Sequence, residues 1–445
     1  MSSLFGTSGI RGSAKDFLNN QFCFDIGRTF AIFLKKHRQK GKVAIGMDSR
    51  ESSPRIKKSF SMGLQREGYK TFDQGVLPVP AMNYILIVNH SFVGSAMITG
   101  SHIRSDFNGI KFFVFKEEIL KNHEKEIENI YQKIKEKIPF KKRELKFKKE
   151  NKAIKSYREM LLKLAETPYP KWKTVIDCNN GCQSKIIPGL LKKLGLETKT
   201  LNTSLKPKNF IAKDTETEEA VEKLQKEVKR TRADFGIAFD GDGDRVVFVD
   251  EKGRFITGDY SGTLISKYSN SIVIVTPINT SQVIDRIKKR VIRTKVGSPF
   301  VVETMRKSEA TFGFEANGGG FSAEIMMSRD GGSSTIKILN LLKQSGKTLG
   351  ELVNTLPRFF LYRTKVECPR ELNRVIIKEA KKNFGGIKVE EIDGLKIWVN
   401  RTKWILFRPS NNAPEFRVFA EAENKKEAEK LGKNGIKFVK SLITK

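Results

Sequence analysis

Short apolar runs rich in β-formers alternate with segments of helical period along most of this chain, and layered α/β architectures are built from that alternation. Val43-Ala44-Ile45-Gly46-Met47 reads as a strand ending in Asp48-Ser49-Arg50, and residues 54–69 carry apolar side chains at helical spacing. Residues 95–99 and 110–115 bracket a polar loop. A second unit opens at Thr174-Val175-Ile176-Asp177, turns through Asn179-Asn180-Gly181 and continues as a helix over 186–194, stopped by Gly195. Apolar runs at 235–239 and 246–249 flank an acidic loop. A third unit opens at Ser271-Ile272-Val273-Ile274-Val275, with a helix predicted over 281–290, a strand over 291–296 and a helix over 334–342. Beyond residue 361, predicted strands (396–399, 404–407, 417–420) mix with helices over 371–384 and 425–442, the pattern of a smaller α+β unit.

At roughly 150 residues per domain, 445 residues correspond to about three domains. A hydrophobic fraction of 38% with 31 Phe excludes wholesale disorder, and 14 Pro exclude a Pro-rich fibrous or linker protein. Cys23, Cys178, Cys182 and Cys368 are too scattered for a disulfide framework and lack the paired spacing of a zinc site, so a reducing cytoplasm is the expected compartment. Residues 1–6 lack the features of a secretory signal, and the most apolar stretch, residues 84–99, is interrupted by Asn89-His90-Ser91 and too short to span a bilayer. No membrane partner is expected. Lys and Arg number 83 against 50 Asp and Glu, a net charge of +33 that raises a polyanion as a partner. Local support for such a partner is confined to aromatic-interleaved basic stretches such as Phe140-Lys141-Lys142-Arg143 and Phe147-Lys148-Lys149, so the surplus reads mainly as surface lysine and nucleic acid is not the expected partner.

Chemistry concentrates in five loops. Asp240-Gly241-Asp242-Gly243-Asp244-Arg245 places three carboxylates at alternate positions, which suits one hard cation such as Mg²⁺ or Ca²⁺ and is costly without one. An EF-hand fails because Arg245 stands where that loop needs glycine and the flanks are β-type. Thr99-Gly100-Ser101-His102, continuing to Asn108-Gly109-Ile110-Lys111, exposes a serine on a turn as a nucleophile or phosphoryl carrier. Adjacent residues on an extended chain point apart, so the Ser101–His102 dyad does not follow from adjacency. Arg408-Pro409-Ser410-Asn411-Asn412 with Arg417 gathers two guanidiniums and several neutral donors, as a phosphate site requires. Phe314-Glu315-Ala316-Asn317-Gly318-Gly319-Gly320 offers a carboxylate and an amide suited to sugar hydroxyls, and Phe5-Gly6-Thr7-Ser8-Gly9-Ile10-Arg11-Gly12 adds hydroxyls and an arginine. Each loop alone is also compatible with an ordinary surface turn.

Together and in this order, the loops resemble those of the α-D-phosphohexomutases, the phosphoglucomutases and phosphomannomutases. The resemblance runs from residue 5 to residue 417. It implies an α/β, four-domain phosphohexomutase architecture: three related α/β domains (1–150, 151–253, 254–360) and a smaller α+β C-terminal domain (361–445). It also implies interconversion of hexose 1-phosphate and hexose 6-phosphate, of glucose or mannose, through phosphoserine and a bisphosphorylated sugar; the alternatives are a phosphoglucosamine mutase or a divergent mutase-like protein that binds a polyanion or nucleic acid. Ser101, His102, Lys111, Arg11, Arg245 and Lys295 would form the catalytic set. Asp240, Asp242 and Asp244, with Ser101, would hold one Mg²⁺. Glu315 and Asn317 would bind the sugar, and Arg408, Ser410, Asn411, Asn412 and Arg417 the non-reacting phosphate. Hexose 1,6-bisphosphate is the implied activator, hexose phosphates are the implied partners, and the resemblance leaves room for a homo-oligomer. Three departures stand out: Ile103-Arg104 follows His102 where Asn-Pro is usual, Asn412-Ala413 replaces Thr-Glu, and no histidine follows the sugar-loop glycines.

Overall fold

The structure is a computed structural model describing residues 4–142, 147–410 and 414–444. Four sheets follow one another along the chain. In the first, Lys42–Met47 lies parallel to Lys70–Val76 and to Phe92–Ile98, and Phe107–Val114 then runs antiparallel to Phe92–Ile98 with Ile10–Ser13 beyond it. The second sheet sets Phe235–Phe239 parallel to Lys173–Asp177 and antiparallel to Val246–Asp250. In the third, Phe312–Phe314 is parallel to Val273–Pro277 and antiparallel to Gly320–Ser322. The fourth, spanning Phe360–Glu367 to Glu415–Ala422, is antiparallel throughout.

The first three sheets therefore share one device. A strand with a parallel neighbour leaves its carboxyl end, makes a loop and returns antiparallel; the loops are residues 99–106, 240–245 and 315–319. Open α/β sheets present ligand sites at the carboxyl ends of their strands. The three loops carrying the serine, the aspartates and the sugar-type residues thus occupy equivalent places.

What fixes them relative to one another is a hydrophobic cluster crossing all three units, from Met82 and Met97 through Phe239 and Val246 to Phe312 and Phe314. Across the same junction, Tyr157 of helix Lys152–Leu164 donates its hydroxyl to Asp330, which caps helix Gly331–Ser345 by accepting from the backbone N–H groups of Gly332 and Ser333. The fourth unit has its own core around Phe407, Phe416 and Val439, and meets the third through a smaller group, Ile278 with Trp404, Leu406 and Phe419.

Several local expectations change. The predicted helix at 281–290 is a single 3-10 turn, Gln282–Arg286, followed by strand Arg290–Thr294. Tertiary contacts set it: Ser281 caps Val283, while the backbone N–H of Gln282 donates to Glu421 and its amide to the Thr402 carbonyl. Residues 84–99 divide between helix Val79–Val88 and strand Phe92–Ile98. Among the described residues no helix is long and apolar enough to cross a membrane. Helix Asn20–Lys36, absent from the sequence reading, is buried around most of its circumference (Phe22, Cys23, Phe24, Ile26, Phe30, Phe33), which blurs the one-sided periodicity that marks a surface helix.

Candidate active site

Ser101 is buried and left-handed, with φ of 54°. This bend, not an extended chain, turns its hydroxyl towards its neighbour: Oγ lies 3.2 Å from Nδ1 of His102 and donates to Oδ2 of Asp240 at 2.7 Å. The loop is held from beneath by Arg50, which lies on the strand-end Asp48-Ser49-Arg50. Its guanidinium donates to the carbonyls of Ser101, Ile103, Arg104 and Phe107, at 2.8, 2.7, 2.6 and 3.0 Å, and to Asp48 at 3.0 Å. That guanidinium also lies over Phe210, 4.1 Å from the ring centre. Gly241 of the aspartate loop presses on the same spot: a Cβ there would lie 2.8 Å from the Ser101 carbonyl oxygen and 3.0 Å from Phe210.

Asp240, Asp242 and Asp244 are buried, and one oxygen from each lies within 4.8 Å of the others. Asp240 accepts from the backbone N–H groups of Gly243 and Arg245 as well as from Ser101. Lys111, on strand Phe107–Val114, donates to Asp242 at 2.9 Å and to Asp244 at 2.8 Å. Oδ1 of Asp242 and Oδ1 of Asp244 are buried with no hydrogen-bond partner among the described residues. Hard oxygen donors converging in this way, two of them unsatisfied, fit a divalent cation. Burial, then the charges of Asp242 and Asp244, push the Asp240 carboxyl well above its usual range. Burial opposes ionisation of Asp244 too, but Arg329, Lys111 and Arg245 outweigh it and hold that carboxyl low.

Around this trio the cations are layered. Arg245 donates to Asp214 at 3.0 Å and lies 3.9 Å from Asp240. Arg11, opposite Gly109 in the antiparallel pair, faces the same aspartates; burial lowers its pKa and Asp242 partly restores it. Burial first, then the charges of Arg245, Arg11 and Arg329, push His102 well below the ordinary 6.5, which favours the neutral imidazole. Its Nε2 lies 3.9 Å from Asp214.

Glu315 and Asn317 lie on the third equivalent loop, where Arg329 donates to Glu315 at 2.6 Å, to Asn317 at 3.1 Å and to Asp244 at 3.0 Å. Burial raises the Glu315 pKa, and Arg329 is the largest effect opposing that rise. In the fourth unit Arg408 and Arg417 stand directly opposite one another on neighbouring antiparallel strands. Like charges so placed are unfavourable unless an anion joins them. Arg408 donates to Asp393 at 2.6 Å, and Asp393 accepts the Val296 N–H at 3.0 Å, which ties the exposed Lys295 loop to this site. Arg417 reaches Glu415 at 3.4 Å, and its Nε is buried with no partner among the described residues. Ser410 is buried beside them, while Asn411 and Asn412 lie outside the described residues.

Sequence comparison supplies the family. Models of phosphoglucomutase/phosphomannomutase α/β/α domains I, II and III match residues 2–138, 154–253 and 257–360. A phosphoglucomutase/phosphomannomutase of Thermococcus kodakarensis is 33% identical over 461 aligned positions, covering all of both chains. The chain belongs to the phosphoglucomutase/phosphomannomutase family. A phosphoglucosamine mutase of Caldicellulosiruptor bescii is 31% identical across 97% of this chain and 98% of its own. Among solved structures, a phosphoglucomutase/phosphomannomutase family protein of Burkholderia thailandensis superposes with a TM-score of 0.83 at 22% identity, over 99% of this chain and 97% of that one, a likeness of fold.

In this phosphohexomutase the structure brings Arg11, Ser101, His102, Lys111, Asp240, Asp242, Asp244, Arg245, Glu315 and Asn317 into one group, buried except for the partly exposed Arg11 and His102. Arg408 and Arg417 make their ion pairs within the fourth unit, and Lys295 points its ammonium over Phe300, 6.0 Å from the ring centre. Sequence reasoning missed Arg50, Phe210, Asp214 and Arg329. Only Asp48-Ser49-Arg50, a charged pair ending an apolar strand, carried a local signal. A cavity of about 880 Å³, lined mainly by residues of the 216–229, 252–260 and 353–363 segments, includes none of the predicted site residues in its lining.

Proposed function

We propose that this phosphohexomutase interconverts hexose 1-phosphate and hexose 6-phosphate, with Ser101 as the phosphoryl carrier. The observation that carries the reading is the left-handed Ser101, whose hydroxyl donates to Asp240 at 2.7 Å inside the aspartate group. In the forward half-reaction, the bond between phosphorus and Ser101 Oγ breaks as a bond to the free sugar hydroxyl forms. The hydroxyl proton passes, by way of a basic group, to the departing Ser101 Oγ, which becomes a hydroxyl; His102, with Nδ1 3.2 Å from that oxygen, is placed for the relay, and Lys295 and Arg11 are the further candidates. The bisphosphorylated sugar then reorients, its other phosphoryl group returns to Ser101, and the proton returns to the product hydroxyl.

Asp240, Asp242 and Asp244, with the phosphorylated Ser101, would hold one Mg²⁺, which supplies charge neutralisation at the phosphoryl oxygens. Lys111 keeps Asp242 and Asp244 in place from behind, and Arg245, braced by Asp214, faces the transferring group. Glu315 and Asn317 bind sugar hydroxyls. The opposed Arg408 and Arg417, with Ser410 and the Asn411-Asn412 segment, take the non-reacting phosphate. Hexose 1,6-bisphosphate, by phosphorylating Ser101, would prime the enzyme.

Glucose and mannose phosphates are the leading substrates, and the likeness to a phosphoglucosamine mutase adds glucosamine phosphate as the competing one. Side-by-side assays on the three 1-phosphates, each with a trace of 1,6-bisphosphate, separate them. Turnover of at least one, lost in Ser101→Ala, is the expected result; no turnover of any of the three overturns the reading.

A further inference from the structure

The sugar-type loop and the aspartate loop come from different sheets, yet they touch backbone to backbone. Gly318 and Gly319 have φ of +84° and +78°, and side chains there would strike the carbonyl oxygens of Val246 and Asp244. Against this seam lies Arg329, on strand Met326–Asp330. It is buried, and its fork is divided: Nη1 serves Glu315 and Asn317, while Nη2 serves Asp244. Asp244 Oδ2 is shared with Lys111, and its Oδ1 is left without a hydrogen-bond partner among the described residues. One guanidinium therefore separates a cation-site carboxylate from the carboxylate and amide of the sugar loop.

We infer that Arg329 is a positioning residue that links occupancy of the cation site to the affinity for the sugar. The inference rests on the reading of Glu315 and Asn317 as sugar ligands. A rigid, planar fork fixes Glu315 and Asn317 relative to Asp244, so ordering either loop orders the other. Binding at the two sites is then cooperative and reciprocal. The charge has an opposite effect on the cation alone. A guanidinium touching Asp244 repels a divalent ion, so its removal strengthens cation binding while releasing the sugar loop. A residue that merely propped up the aspartate loop would, when removed, weaken cation binding.

The test is calorimetric titration of the whole protein with Mg²⁺ and with glucose 6-phosphate, each alone and in the presence of the other. The wild type should show a coupling factor of roughly 5–150. In Arg329→Met the factor should fall to about 1, with Mg²⁺ affinity equal to or tighter than wild type and glucose 6-phosphate binding weakened. Arg329→Lys keeps the charge but not the fork, and should also lose coupling while binding Mg²⁺ as the wild type does. Circular dichroism establishes that each variant is folded, and if Arg329→Met does not fold, Arg329→Lys decides. Coupling retained in a folded variant, or Mg²⁺ affinity reduced more than tenfold, overturns the inference. A wild type that binds both ligands with no coupling overturns it alone. A wild type that binds no glucose, mannose or glucosamine phosphate overturns the functional reading with it.

Discussion

Replacing Arg50 by methionine should loosen the serine loop without touching its sequence. Arg50 is 1% exposed, and its guanidinium satisfies four carbonyls along residues 101–107 as well as Asp48. In Arg50→Met, Asp48 retains the Ser53 hydroxyl at 2.6 Å and the Gly100 N–H at 3.3 Å but loses its countercharge. Breaking a buried pair from one side costs about 3–5 kcal/mol. The carbonyls of exposed Arg104 and Phe107 can be rehydrated, so their loss adds little. Hydrogen exchange of peptides covering residues 92–114 should therefore accelerate roughly 10²–10⁴-fold, while peptides from strand Trp404–Pro409 stay unchanged. Turnover should fall about 10²-fold, because a displacement near 1 Å at the reacting oxygen suffices. Adding Asp48→Asn removes the orphaned charge and should restore about 1–3 kcal/mol. Exchange within threefold of wild type, with full turnover, would refute the idea that Arg50 sets the loop.

Three further outcomes are expected. Glu124 is buried, and desolvation outweighs the Lys121 ammonium at 2.7 and 2.9 Å and pushes its carboxyl up from 4.5 to about 7. The folded state thus holds a proton the unfolded chain releases, so stability falls as pH rises from 4.5 to about 7, by at most about 3 kcal/mol. Melting temperatures at pH 5 and pH 8 should converge in Glu124→Gln; an unchanged gap would exclude this carboxyl as its source. Gly319→Ala, with φ of +78° and the Asp244 carbonyl in the way, should cost about 1–3 kcal/mol and reduce turnover, and a fully active, equally stable variant would contradict the seam between the loops. Arg417→Ala removes a cross-strand repulsion from Arg408, so stability should change by less than about 1 kcal/mol while KM rises roughly tenfold or more. An unchanged KM would place the phosphate elsewhere.

The α/β units and the α+β unit were legible because their strands are apolar runs that few other structures tolerate. The site loops were legible because phosphoryl and metal chemistry demands particular residue types at short spacing, as in Asp240, Asp242 and Asp244. What escaped was long-range. Arg329 acts on Asp244, 85 positions away, and Arg50 on Ser101, 51 away, and no local periodicity encodes either meeting. Asp214 and Phe210 come from a stretch without recognisable motif. The Ser101–His102 contact depends on a positive φ at a serine, which residue adjacency does not reveal. Helix Asn20–Lys36 was hidden by being buried almost all round.

The most direct measurement of the central claim follows one labelled phosphoryl group. The enzyme is incubated with hexose 1,6-bisphosphate labelled in its phosphates, freed of excess and digested to locate the label, then mixed in a single turnover with unlabelled hexose 1-phosphate. Label on the peptide containing Ser101, lost to the sugar at least as fast as steady-state turnover, is the predicted result. Label on another residue, or label on Ser101 that the sugar does not discharge, would contradict it.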